Sequence, residues 1–138
     1  MGVMRSETVT VRTGASEVVH DLGREISTFL SEEEGDGLLH VWVPHATSGL
    51  AILETGAGSD DDLITALERL LPRDDRWRHR HGSHGHGADH VMPAIVAPSI
   101  TVPVVDGRPT LGTWQSIVLV DTNVDNPTRD VRLSFLPG

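Results

Sequence analysis

The sequence predicts an α+β domain: a largely antiparallel β-sheet with about two helices in a compact single domain. Strand-like segments cluster instead of alternating strictly with helices, two segments carry helical periodicity, and Gly- or Pro-bearing turns separate the apolar runs. A length of 138 residues fits one domain, residues 1–138, large enough to bury a real core. There is no internal repeat and no linker that would divide it.

Each element has its own signal. Ser6 to Arg12, "SETVTVR", alternates polar and β-branched residues as a half-buried strand does. After Asp21, Leu22, Ile26, Phe29 and Leu30 fall on one face of an amphipathic helix that ends near Gly35 and Gly37. Leu38 to Val43, "LLHVWV", is a nearly continuous apolar run and reads as a buried strand; Gly49 to Glu54, "GLAILE", reads as the next. Ser59 and Asp62 resemble a capping box opening a helix whose apolar face is Leu63, Leu67, Leu70 and Leu71, stopped by Pro72. A histidine-rich loop follows. Three strands close the chain, Ser99 to Val105, Ser116 to Asp121 and Asp130 to Leu136, and "DGRPT" between the first two predicts a hairpin.

Composition narrows the function. With no cysteine, disulfides and thiolate metal sites are excluded, so any metal must be held by His, Asp, Glu or backbone oxygen. The net charge of −9 argues against a nucleic-acid partner, which needs a basic face. No apolar run approaches a bilayer span. The opening "MGVMRSETVTV" lacks a signal-peptide pattern, so the expectation is a soluble cytoplasmic protein.

Five of the eight histidines, His79, His81, His84, His86 and His90, fall within "HRHGSHGHGADH". Spacings of H-x-H and H-x-x-H allow chelation, yet a flexible glycine-rich loop would read the same way. His45, at a strand end and followed by Thr47 and Ser48, is placed for ligand or acid–base chemistry; turn capping is the bland reading. Asp60, Asp61 and Asp62 are expected to serve the dipole of their helix. "LGTWQS" is either a strand start with Trp114 in the core or a ligand contact through Gln115 and the Gly112–Thr113 backbone.

"HATSGLAILE", Asp62, "DH" before an apolar run, "SITVPVVDGRPTLGTWQSIVLVD" and "RDVRLSF" together resemble the YjbQ-like family over nearly the whole chain. The resemblance implies a compact α+β fold, a homotrimer, and a site lined by histidines near subunit boundaries. It also implies an activity of the thiamine-phosphate-synthase type, joining a pyrimidine pyrophosphate to a thiazole phosphate. By the same resemblance His45, Glu54, Asp62 and His90 are catalytic candidates. His45, His79 and His90 would hold a divalent metal, zinc or magnesium. Thr47, Ser48, Gly112, Thr113, Trp114, Gln115 and Arg129 would contact a phosphorylated small molecule or inorganic anion. Glu54 and Asp62 would orient the histidines. The chain departs from the pattern where "LET" replaces N-E-N, where Trp77 replaces a tyrosine before His79, and at His86, usually Asn or Asp. "VDNPTR" stands where the family pattern reads D-G-P-R, and it ends on Arg129. His81 and His84 have no counterpart and are expected to be loop residues. Two other readings stay open: a non-catalytic trimeric protein that binds metal or anion, and a metal-dependent phosphate-ester hydrolase.

Overall fold

The computed structural model describes residues 2–138. Strands β1 (Arg5–Arg12), β2 (Val18–Asp21), β3 (Gly37–Trp42), β4 (Ser48–Leu53), β5 (Ser99–Val105), β6 (Arg108–Pro109), β7 (Ser116–Asp121) and β8 (Thr128–Pro137) form two sheets. The larger has the order β1-β8-β3-β5-β6 and the smaller β2-β7-β4, with every pairing antiparallel. Helices α1 (Gly23–Leu30), α2 (Ser59–Leu70) and α3 (Gly87–Val91) complete the α+β architecture, with one 3-10 turn at Met92–Ala94.

The smaller sheet is the middle layer. Its central strand β7 sends Ile117 and Leu119 into a core shared with the larger sheet and α1, and Val118 and Val120 into a second core beneath α2 and α3. That is why "SIVLVD" is apolar without alternation: both faces are covered. The first core gathers Leu22, Ile26, Phe29, Leu39, Val41, Val131, Leu133 and Phe135, among others. At about 1.5–3 kcal/mol for each fully buried large apolar side chain, it supplies much of the driving force for folding.

Several sequence expectations change. The run "LLHVWV" is buried on one face only: Leu39 and Val41 point inward, while Leu38 and Trp42 stay about 40% exposed. "DGRPT" does turn a hairpin, through Asp106 and Gly107 in left-handed backbone, but β5 returns on the two-residue β6. Ser116 to Asp121 belongs to the other sheet, where it pairs with β2 and β4. Four-residue β2 carries too little pattern to be read in advance. At α2, Gly58 in left-handed backbone occupies the cap position and no side chain caps the helix, so the Ser59–Asp62 box does not form. Within the histidine-rich segment the expected loop gives way to α3, whose five residues are too few to show a period.

Glu17, on the turn before β2, packs against Glu68 of α2 beside Arg73. Burial first, then the hydrogen bond and negative charge of Glu68, push its carboxyl up from 4.5 to about 7. The folded chain therefore keeps this proton after the unfolded chain has released it, and the contribution to stability fades as pH rises from about 4.5 through 7. Urea titrations across that window should show a falling component that Glu17→Gln flattens; an unchanged slope in the variant would assign the effect to other groups.

Candidate functional site: a histidine cluster on a short helix

The site is built on α3. His86 at its N-terminal boundary and His90 one turn later lie on one face, as residues four apart do. Their Nε2 atoms are 2.8 Å apart, so one neutral imidazole donates to the other. His79 and His81 reach the same point from the preceding loop, their ring centroids 4.0 Å apart, with His79 3.9 Å from His90. One nitrogen from each of His79, His81 and His86 falls within 4.8 Å of the others. Nitrogens sharing a tetrahedral zinc stand about 3.3 Å apart, so the set is slightly open. His79 Nε2 is buried without a hydrogen-bond partner among the described residues.

What fixes this geometry is a network of buried polar groups. Asp89, next to His90 and 1% exposed, accepts Arg73 Nη1 on both carboxylate oxygens at 2.6 and 2.7 Å and Thr122 Oγ1 at 2.9 Å. Arg73 also donates to Ser83 Oγ, which donates to Asp125 Oδ2. Asp125 lies 3.0 Å from His86 Nδ1, on the ring edge away from the cluster. This is the position of a carboxylate that orients a ligating imidazole, although the pair is not aligned as a hydrogen bond. The Ser83 backbone N–H and hydroxyl, with His86 nearby, hold the Asp125 carboxyl below its ordinary range. Gly87 allows the close approach: a Cβ there would strike the Trp77 side chain and come within 2.6 Å of the His79 carbonyl.

Electrostatics favour free lone pairs. Burial and then the neighbouring His81 and His86 lower the His79 pKa; burial and then His79, His86 and His81 lower that of His90. Both shifts favour the neutral imidazole, the form that binds metal.

An adjoining cavity of about 290 Å³ is lined by His81, His86 and His90 together with His45, Thr47, Asn123, Asn126 and Arg129. His45 Nε2 accepts the Asp130 backbone N–H at 3.0 Å, so this nitrogen is already engaged. Burial and the Arg129 charge lower its pKa. Arg129, 3% exposed, donates from Nε to Asp121 at 2.7 Å and from Nη2 to Thr47 Oγ1 at 2.9 Å. Ser48 is fully buried, and its Oγ has no hydrogen-bond partner among the described residues.

The structure divides the residues singled out from the sequence. His45, Thr47, His79, His90 and Arg129 meet around the cluster and its cavity. Glu54 and Asp62 do not: both are exposed, Glu54 just past the far end of β4 and Asp62 in the first turn of α2. Gly112, Thr113, Trp114 and Gln115 lead into β7 beside that same far end, about 17 Å along the strands from Ser48 and Asp121. Trp114 is 72% exposed, not core, and Gln115 Oε1 accepts the Gly112 N–H in a local turn. The acids beside the histidines are Asp89 and Asp125, which sequence reasoning missed; an acid immediately before His90 was the available signal. His81, expected to be a loop residue, joins the cluster, whereas His84 stays exposed near Asp75.

Asp89→Ala should cost about 3 kcal/mol in urea unfolding, at the low end for a broken buried pair because Arg73 keeps some solvent contact. Asp62→Ala should change stability by less than about 0.5 kcal/mol. Equal effects would contradict the placement of these two acids.

Comparison with known proteins agrees with this geometry at the level of fold. The family model for UPF0047 protein YjbQ-like matches residues 7–138. UPF0047 protein Rv2556c of Mycobacterium tuberculosis is 61% identical over 135 residues, covering 98% of this chain and all of that one. UPF0047 protein YugU of Bacillus subtilis is 32% identical, covering 80% of this chain and 84% of its own. Among solved structures, hypothetical protein APE1520 from Aeropyrum pernix superposes with a TM-score of 0.86 at 31% identity, covering 97% and 99% of the two chains. SSO2532 from Sulfolobus solfataricus, a protein of unknown function, shares the fold at a TM-score of 0.90 and 19% identity, covering 99% of each chain. These relatives carry only family descriptions or unknown function, and none is described as a thiamine-phosphate synthase, so the expected synthase activity is withdrawn. The match over residues 7–138 and the 61% identity make the chain a member of the UPF0047, YjbQ-like family.

Proposed function

We propose that this protein is a histidine-based metal-binding protein whose centre takes one divalent transition ion, with zinc the best fit. The observation that carries the reading is the convergence of His79, His81 and His86 within 4.8 Å, with His90 in direct contact with His86. Three or four imidazoles with a carboxylate behind one of them match the donor chemistry of zinc, nickel or copper. Magnesium, which prefers hard oxygen ligands, fits this donor set poorly. His79, His81 and His86 would hold the ion and His90 would complete the set. A bound ion would supply Lewis acidity to an oxygen of whatever occupies the adjoining cavity.

The homotrimer implied by the family resemblance is part of this proposal. It is supported by the exposure of Leu38, Trp42, Leu136 and Trp114, large apolar side chains that an assembly would cover. Sedimentation equilibrium should then give three times the 14.9 kDa chain mass, and a monomer would remove this part.

Zinc titration of tag-free protein should reach about one equivalent. Single His79→Ala, His81→Ala and His86→Ala substitutions should weaken binding at least about ten-fold, and Asp125→Asn by about 10–100-fold. Gly87→Ala should weaken binding as well, by forcing α3 away from the Trp77–His79 segment. Glu54→Gln and Asp62→Asn should leave it unchanged. Affinity should fall between pH 7 and 5.5 as protons compete for the imidazoles. Zinc binding that survives all three histidine substitutions would refute the assignment.

A further inference from the structure

A second cavity, of about 440 Å³, runs along α1 and shares no residue with the histidine centre or its adjoining cavity. One face of α1 forms its floor: Gly23, Ile26, Ser27, Leu30 and Ser31 follow the spacing of a single helical side. Leu111 and Ile117 continue the apolar surface. Acids stand at both ends. Asp21 precedes the first turn, its Oδ1 fixed by the Gly23 N–H at 2.8 Å, while Glu33 and Asp106 stand beyond the last turn. The eight residues of α1, rising about 1.5 Å each, set these ends roughly 12 Å apart. The opposite wall is braced. At the tip of the β5–β6 hairpin the Asp106 N–H donates to Asp36 Oδ1 and the Gly107 N–H to the Gly35 carbonyl, both at 3.0 Å. A Cβ on Gly107 would come within 2.5 Å of the Glu33 carbonyl oxygen, so only glycine lets the hairpin close on the end of α1. Three acids thus line a preformed cavity against one base, the exposed Arg108, and Arg5 engages one oxygen of Glu33 at 2.8 Å.

We infer that this cavity binds an aliphatic polyamine, a chain of methylenes with an ammonium group at each end. The order acid, apolar floor, acid along the helix is the complement of that molecule. Asp21 accepts the ammonium N–H groups at one end and Asp106 those at the other. Between them the methylenes lie on Ile26, Leu30 and Leu111, away from water. The volume is that of a small-molecule site. An anionic ligand would face like charge at both ends, and a wholly apolar one would strip water from two carboxylates without replacing it. A net charge of −9 raises the local concentration of a polycation and speeds its approach. The site stands independently of the metal reading.

Calorimetric titration of metal-free protein with spermidine tests this, at about 0.15 M salt so that diffuse surface attraction is screened. Saturable binding at one equivalent is expected, with 1,4-diaminobutane weaker and butylamine, which has one ammonium, at least about ten-fold weaker. Asp21→Asn and Asp106→Asn should each weaken spermidine binding about three-fold, and together about ten-fold, as partly exposed charge pairs do. Both changes keep the side-chain shape, and Asn tolerates the left-handed backbone at 106. Ser27→Trp, which fills the cavity from the helix face, should abolish binding; if it fails to fold by circular dichroism, the Asn pair decides. A control carrying Asp60→Asn and Asp61→Asn removes the same charge elsewhere and should bind as the parent does. No saturable binding of spermidine up to about 10 mM overturns the inference. So does binding that the control weakens as much as the Asp21 and Asp106 pair, since that is attraction to the acidic surface alone. Equal affinity for butylamine also overturns it, because one end of the cavity would then be unused.

Discussion

The buried pair between Asp89 and Arg73 is the contact on which the rest of the site depends. An aspartate with 1% exposure is costly to desolvate unless its oxygens are filled, and here Arg73 and Thr122 fill them. The pair pins a five-residue helix too short to persist alone. It also reaches through Ser83 and Asp125 toward His86, so one ion pair positions both α3 and the loop before it. A run of histidines separated by glycines would otherwise sample many arrangements. The protein spends a buried charge to select one.

The smaller sheet extends this order to the adjoining cavity. β7 is covered on both faces, and Asp121, Thr122 and Asn123 at its end turn inward together. Asp121 holds Arg129, Thr122 holds Asp89, and Asn123 links Thr47 to the Asp125 backbone. Three consecutive residues thus serve three walls of the site. This is a rigid strand end acting as a scaffold for polar groups that loops alone would not fix.

How much of this was legible in the sequence follows from the physics of each element. Strands β1, β5 and β7 and helices α1 and α2 carry enough period or apolar length to be read, and their observed bounds lie within a few residues of the expectation. β2, β6 and α3 are too short for any period to register. The double burial of β7 resembles the single-faced β3 in composition, because Leu38 and Trp42 are apolar without being buried. Motif resemblance singled out His45, His79, His90 and Arg129, which the fold brings close together, because residue type and neighbours mark them. It placed Glu54, Asp62 and Gly112 to Gln115 beside them, although β4 and β7 carry Glu54 and Gly112 to Gln115 to the opposite end of the sheet and Asp62 sits exposed in the first turn of α2. Asp89, Asp125 and His81 acquire their roles only from long-range packing, which no local pattern records.

The central claim is that the folded chain assembles imidazoles, and not scattered surface acids, into one metal centre. X-ray absorption at the zinc edge of singly loaded, tag-free protein tests it most directly. The expected result is three or four nitrogen scatterers at about 2.0–2.1 Å with the outer-shell pattern of imidazole rings. A shell of oxygen alone, without imidazole scattering, would place the ion elsewhere and refute a histidine centre.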